Sequence, residues 1–92
     1  MIVRRAGRIL GLDYGRRRVG VSVSDALGLT AQPLDTWQGL TWRDAAERVI
    51  TLANQMDVRK VVVGFPLTLQ GEKGRMAEEV ERFVEQLRMR SN

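Results

Sequence analysis

Residues 8–25 constrain the fold more than any other part of this chain. They read as an apolar strand that ends in one acid, a short turn, and a second strand of alternating valines. Asp13 is the only acidic residue among the first 20, which also hold six arginines. A carboxylate at the end of a hydrophobic strand costs free energy unless a positive group pairs with it, and Gly11 and Gly15 leave room for that group. We expect Asp13 to be functional, with a solvated turn aspartate as the alternative.

Two missing residue types narrow the chemistry. The chain has no cysteine and no histidine, so thiolate or zinc sites and histidine-based catalysis are not expected. A metal would be held by oxygen ligands, which favours Mg²⁺ or Mn²⁺ with Asp13 as a ligand. No apolar run reaches the length of a membrane span, and the first residues lack the long apolar segment of a secretory signal. We therefore predict a cytoplasmic protein with no membrane partner.

The positive charge is concentrated near Asp13. The net charge is +4, of which residues 1–20 carry +5, residues 21–71 carry −1 and residues 72–92 carry none. This distribution suits a polyanionic partner such as RNA or branched DNA. Arg16, Arg17 and Arg18, in the turn beside Asp13, are the predicted phosphate contacts.

The hydropathy pattern predicts a single α/β domain over residues 1–92 with the element order β-β-β-α-β-α. Pro33 places the third strand at a sheet edge, because proline cannot donate to the ladder. A helix after the third strand would return the chain to a fourth, parallel strand beside the first. The predicted elements are strands 8–13, 19–24, 31–37 and 58–65, a helix from about Thr41 to Met56 and a helix from Gly74 to about Arg90.

The fourth strand is an almost continuous apolar run, which is typical of a buried parallel strand. The chain stops at Asn92, before a fifth strand that could cover it. Val61 to Phe65 would then form an exposed apolar edge that invites pairing with another molecule. This predicts either a piece of a longer protein or a homodimer formed through this edge.

Several loop residues are predicted to surround the same end of the sheet. The carboxyl ends of parallel strands bring Asp13 close to Gly64 and Pro66. The following loop contributes Lys73 as a further nucleic-acid contact, while Gly71 and Gly74 expose backbone N–H groups to an anion or simply serve turn geometry. Asp25 is expected to cap the loop that runs to Gly28.

Three motifs stand in order along the chain. The first motif covers the hairpin and consists of Gly11-Leu-Asp-Tyr-Gly, Arg18-Val-Gly-Val and Ser24-Asp25. The second motif is Gly28-Leu-Thr-Ala-Gln-Pro33. The third motif consists of Val62-Val-Gly-x-Pro66 followed by Gly71-x-x-Gly74. Together they closely resemble the YqgF/RuvX family, whose members are described as Holliday junction resolvases and pre-16S ribosomal RNA nucleases. The resemblance implies a ribonuclease H-like fold and metal-dependent hydrolysis of phosphodiester bonds.

The resemblance also assigns roles to particular residues. Asp13 matches the first-strand aspartate that holds the metal in the family. Gly15, Arg18 and Gly20 match the family's hairpin. Asp25 matches the end of its second strand, and Gly64 and Pro66 match its fourth-strand loop. Arg16 and Arg17 fall where the family varies. Family members continue into a fifth strand with an Asp-Glu-Arg motif and a last helix with another aspartate, and this chain contains neither.

Three functions are therefore compared. A metal-dependent nuclease leads, acting on DNA junctions or ribosomal RNA precursors by endonucleolytic or exonucleolytic attack. A nucleic-acid-binding module without catalysis is the alternative, because several carboxylates are needed to hold two cations. An ATP-binding half of the actin/hexokinase type ranks third, since Arg16 and Arg17 occupy a turn where such proteins usually carry a hydroxyl residue.

Overall fold

A computed structural model describes residues 7–66 and 74–91. The predicted element order is confirmed, and each strand ends within two residues of its predicted boundary. The elements are β1 (Arg8–Tyr14), β2 (Arg18–Ser24), β3 (Ala31–Gln38), α1 (Trp42–Gln55), β4 (Val58–Val63) and α2 (Arg75–Arg90).

The four strands form one mixed sheet in the order β3-β2-β1-β4. β1 pairs antiparallel with β2, and β2 pairs antiparallel with β3, while β1 and β4 run parallel. β3 is an edge strand, as Pro33 indicated, and the register shifts where Ser22 pairs with Pro33. Among the described residues β4 is the other edge.

Local signals in the sequence explain how α1 begins and ends. The Thr41 side chain caps the helix by accepting a hydrogen bond from the backbone N–H of Asp44 at 3.1 Å. After the helix, Asp57 adopts a left-handed conformation with φ of 53°, which a short polar side chain tolerates better than most. The Asp57 carbonyl then accepts from the N–H of Arg8, so the turn joins the end of α1 to the start of β1.

The hydrophobic core lies on one face of the sheet. β1 contributes Leu10, Leu12 and Tyr14, and these side chains pack in one cluster with residues of both helices. Phe83 and Val80 of α2 are fully buried there. Both helices therefore cover the same face, and neither is long and apolar enough to span a membrane, in a search of the described residues.

The opposite face of the sheet is open, which corrects the expectation of a buried fourth strand. β1 is central, yet its alternate residues Ile9 and Gly11 are only half-buried and Asp13 is exposed, since no helix in the described ranges covers this side. β4 is not a buried strand either: Val62 remains 48% exposed, and Phe65, beyond the strand's end, 44%. The expected exposed apolar edge is present, because β4 pairs on one side only among the described strands.

Candidate functional site

Asp13 lies on the open face, one residue before the end of β1. It stands opposite Gly20 in the antiparallel ladder. On the other side, the Gly64 N–H donates to the Leu12 carbonyl at 3.0 Å, so the carboxyl end of β4 is level with Asp13, as predicted. Residues of all four strands form the floor of a shallow depression of about 410 Å³.

Among residues 7–66 and 74–91, two carboxylates line this depression, and they differ in the hydrogen bonds that they accept. One oxygen of Asp35 accepts from the N–H of Thr36 at 2.8 Å, and the other accepts from the indole N–H of Trp37 at 3.2 Å. No hydrogen bond or ion pair joins the carboxylate of Asp13 to another part of residues 7–66 and 74–91. Asp13 is therefore the acid whose oxygens are available to a ligand.

Glycines keep the surface around Asp13 low. A Cβ at Gly20 would lie 3.6 Å from the Asp13 Cβ, and a Cβ at Gly64 would lie 3.7 Å from the Leu12 carbonyl oxygen, so both positions have ordinary space. Gly11 is more constrained, since its Cβ would come within 2.7 Å of the Ser22 hydroxyl. A flat floor lets a bulky, planar or branched ligand approach the carboxylate.

The chain that follows Asp13 is fixed to α2 at two points. The Tyr14 ring packs on Phe83 with centroids 4.7 Å apart. Arg16 then donates from Nε to both carboxylate oxygens of Glu79, at 3.1 and 3.2 Å. Burial raises the pKa of the Tyr14 hydroxyl, and the negative charge of Glu79 raises it further. These contacts hold the end of β1, and with it Asp13, against the helix layer.

The three hairpin arginines are exposed, but they do not line the Asp13 depression. They line a second one, of about 540 Å³, together with Gly15, Arg75 and Met76. Within the part of the chain that the structure describes, the two depressions share no lining residue. Sequence analysis missed Arg75 and Glu79, because a charged residue at the start of a helix carries no signal that it faces a hairpin about 60 residues earlier.

The Asp25 loop has the predicted capping role. Oδ1 of Asp25 accepts from the N–H groups of Leu29 at 2.7 Å and Thr30 at 3.0 Å. These bonds, with that from Thr30 the largest cause, hold the pKa of the Asp25 carboxyl below its usual value. Gly28 takes the positive φ of 75° that this turn requires. Asp25 is thus committed to the loop and does not line the Asp13 depression.

The predicted loop between β4 and α2 is only partly described. Pro66 is exposed, and Gly74 caps α2 with an extended backbone and no side-chain hydrogen bond. Gly71 and Lys73 lie outside the described residues.

A family model described as "RuvX: Holliday junction resolvase" matches residues 7–92. The chain belongs to the RuvX family. The ribonuclease H-like α/β arrangement implied by the resemblance is confirmed, as a mixed four-stranded sheet with two helices.

Curated relatives of this RuvX-family chain share one name. A protein of Syntrophus aciditrophicus named "Putative pre-16S rRNA nuclease" is 48% identical over 80 residues, which cover 87% of this chain and 53% of that protein. A protein of the same name from Endomicrobium trichonymphae is 38% identical over 85 residues, covering 92% and 61%. The chain thus spans between half and two thirds of the length of these relatives.

A solved structure shares the fold at low identity. It is a protein of unknown function with an actin-like ATPase fold from Bacteroides thetaiotaomicron, with a TM-score of 0.50 and 10% identity. The match covers 88% of this chain and 31% of the other. It concerns the arrangement of strands and helices alone.

A divalent cation, which the RuvX family implies, finds only part of a site in the described residues. Asp13 offers hard oxygen ligands, which suit Mg²⁺ or Mn²⁺. No group of three or more acidic side chains that could hold a metal ion occurs within residues 7–66 and 74–91. The described residues therefore supply a candidate metal ligand in Asp13 and not a complete metal centre.

Proposed function

We propose that this chain is the substrate-binding and part of the catalytic region of a nuclease that hydrolyses phosphodiester bonds in structured nucleic acid. The observation that carries the proposal is the available carboxylate of Asp13, on an open sheet face at the carboxyl ends of two parallel strands. Membership of the RuvX family and the names of its relatives support the same reaction class. Branched DNA and ribosomal RNA precursors are both candidate substrates.

In this proposal Asp13 holds a divalent cation, Mg²⁺ or Mn²⁺, with ligands from outside the described residues. Such a cation, when bound, lowers the pKa of coordinated water and offsets the charge of a phosphate. The protein's own contribution is to hold Asp13 in place. The ladder bonds of β1, the packing of Tyr14 on Phe83 and the pairing of Arg16 with Glu79 all restrict movement of this strand end.

Arg17 and Arg18 are proposed to bind the nucleic-acid backbone. Their side chains are exposed, and their carbonyls accept hydrogen bonds from Gly39 and Gly15. The turn backbone is therefore fixed while the guanidinium groups can reach phosphate oxygens, with which they form charge-assisted hydrogen bonds.

The test compares Asp13→Asn with Asp35→Asn in the intact protein. Both variants remove one negative charge from the same depression, but only the Asp13 carboxylate accepts no hydrogen bond within residues 7–66 and 74–91. Cleavage of a four-way DNA junction and of a precursor 16S RNA is measured with Mg²⁺ and with Mn²⁺, and Mn²⁺ binding is measured by calorimetry. We expect the cleavage rate of Asp13→Asn to fall by more than about a hundredfold. Loss of a residue that only hydrogen-bonds to a metal ligand already lowers activity by up to about that factor.

Asp35→Asn should retain cleavage and Mn²⁺ binding. Equal cleavage by the wild type and Asp13→Asn would remove Asp13 from the mechanism. Salt-sensitive binding without cleavage by the wild type would favour the alternative of a binding module. The ATP-binding alternative is not favoured, because the chain belongs to the RuvX family.

Three predictions from the sequence stay predictions: the single domain over residues 1–92, the cytoplasmic location and a homodimer through β4. The exposed edge at Val62 supports the homodimer. Sedimentation equilibrium of the wild type and of Val62→Lys tests it, since a charge on the edge should dissociate such a dimer. A monomeric wild type would contradict it.

A further inference from the structure

The depression formed by the hairpin and the start of α2 has a strongly positive lining. Arg16, Arg17 and Arg18 line it from the hairpin, and Arg75 lines it from the first turn of α2. Among residues 7–66 and 74–91, no acidic side chain lines it. The two parts of the chain are far apart in sequence, so the fold brings these arginines together.

The four arginines are not equivalent. Arg16 is paired with Glu79, so its charge is largely offset. This is the one ion pair within residues 7–66 and 74–91, and it leaves Arg17, Arg18 and Arg75 without a carboxylate partner in those ranges. Like charges that line one depression repel one another, and an anion bound between them would remove that repulsion.

Arg75 occupies a position that helix stability disfavours. Cations in the first turn of a helix oppose the positive end of the helix dipole, whereas Arg88 and Arg90 in the last turn are favourably placed. An arginine that costs helix stability and lies beside two other unpaired arginines is explained more simply by binding than by folding.

The position of this depression sets which phosphate it can reach. None of the described residues lines both this depression and the Asp13 depression, so its arginines are not placed around the phosphate that Asp13 would act on. The chain from Asp13 to Arg16 spans at most about 10 Å. One nucleic-acid strand carries a phosphate about every 3.4 Å along a duplex axis. This backbone distance therefore corresponds to about three linkages, and we expect the bound phosphate within about that range of the Asp13 site.

We propose that Arg75, together with Arg17 and Arg18, forms a phosphate-binding surface that holds the nucleic-acid backbone beside, and not at, the bond to be cleaved. Arg16 is the positioning residue of this surface, because its pairing with Glu79 joins the hairpin to α2. The inference rests on the proposed function for its ligand, and it assigns to Arg75 a role that the sequence did not indicate.

The test compares Arg75→Gln with Arg88→Gln in the intact protein. The two variants remove the same charge from the same helix. Their positions lie about 20 Å apart along the helix axis, and this distance exceeds the electrostatic screening length at physiological salt. Binding of a fluorescent four-way DNA junction and of a fluorescent RNA hairpin is measured in EDTA over a series of salt concentrations. No cleavage occurs there, so binding is read separately from catalysis.

We expect Arg75→Gln to weaken binding about tenfold, as for a lost charge-assisted hydrogen bond. The slope of log affinity against log salt should fall by about 0.9, or about 0.7 for a single strand. Arg88→Gln should change neither quantity. Thermal melting shows whether a loss of binding comes from unfolding. The melting temperature of Arg75→Gln should be no lower than that of the wild type, because a cation is removed from the first turn of the helix, and that of Arg88→Gln should be no higher.

A second measurement locates the phosphate. Neutral methylphosphonate linkages are placed one at a time on either side of the cleaved bond, and the loss caused by Arg75→Gln is measured for each. The loss should disappear when the neutral linkage lies within about three positions of that bond, and it should persist when the cleaved linkage itself is neutral.

The outcomes distinguish this inference from the proposed function. Equal affinities and salt slopes for Arg75→Gln and Arg88→Gln would overturn the inference while leaving a cleaving wild type intact. A wild type that never cleaves, with binding that depends on Arg75, would overturn the nuclease and leave the phosphate-binding surface standing. Loss of the Arg75 effect only at the cleaved linkage would also overturn the inference, because the arginine would then belong to the Asp13 site.

Discussion

The two faces of β1 carry out different tasks with alternate residues of one strand. Leu10, Leu12 and Tyr14 face both helices and are buried, while Ile9, Gly11 and Asp13 face the open side. The covered face carries large apolar side chains. The open face has few large side chains, and it carries Asp13, whose carboxylate accepts no hydrogen bond within the described residues. The difference shows that one strand can stabilise the fold with one face and bind a ligand with the other. The core side chains hold the strand in place, and the exposed side chains on the opposite face remain accessible to a ligand.

The largest expected effect comes from adjacent residues on opposite faces. Leu10→Ala should lower the free energy of unfolding by about 2–5 kcal/mol, because it leaves a cavity in a fully buried site. Ile9→Ala removes a half-buried side chain and should cost only about 1 kcal/mol. Urea denaturation of both variants measures the difference. Equal losses would show that the open face contributes to the core as much as the covered one.

The glycines of the open face should respond unequally to a methyl group. In Gly11→Ala the new Cβ forces the Ser22 hydroxyl to rotate away from the Gly11 carbonyl, to which it donates at 3.4 Å, and we expect a loss of about 1 kcal/mol. Gly20→Ala should cost less than about 0.5 kcal/mol, since its Cβ meets ordinary contacts. Adding Ser22→Ala should restore much of the stability of Gly11→Ala. Failure of this rescue would mean that the backbone, and not the hydroxyl, excludes a side chain.

The contact between the hairpin and α2 should matter more for ionisation than for stability. Glu79→Gln removes the ion pair with Arg16, whose side chain is 51% exposed, so the loss should be below about 1 kcal/mol and should shrink in salt. The pKa of Tyr14 should fall yet stay above its usual value, because burial is the larger cause of its rise. Tyrosinate absorbance measures this cleanly, since the chain has one tyrosine. An unchanged Tyr14 pKa would show that Glu79 does not act on the ring hydroxyl.

The smallest effect is expected in the loop beside the open face, at Asp25. Its folded pKa lies below the unfolded value of 3.8, so its stabilisation is full above that pH and is lost as the pH falls through the folded pKa. Asp25→Asn keeps an oxygen acceptor but does not titrate, and its stability should therefore differ from that of the wild type less at low pH than at neutral pH. Urea midpoints measured from neutral to strongly acidic pH provide the check. A difference that grows towards low pH would contradict the assignment.

Sequence analysis succeeded where the signal is local. The predicted helix start near Thr41 and the edge strand indicated by Pro33 are both confirmed, since a cap and a missing N–H act within a few residues. It failed for β4, whose apolar run suggested burial on both faces. An apolar run records which side chains avoid water, but it does not record how many elements are present to cover them.

The sequence by itself determined the order of the elements, the place of Asp13 at a strand end and the basic hairpin beside it, because these follow from periodicity and turn chemistry. Only the tertiary structure decided that both helices pack on one face, that Asp13 remains on the other, and that Glu79 and Arg75 meet the hairpin. Those facts depend on contacts such as Arg16 with Glu79, 63 residues apart. The pattern within a helix shows which side is apolar, but its partner is selected by how the whole sheet and both helices pack together.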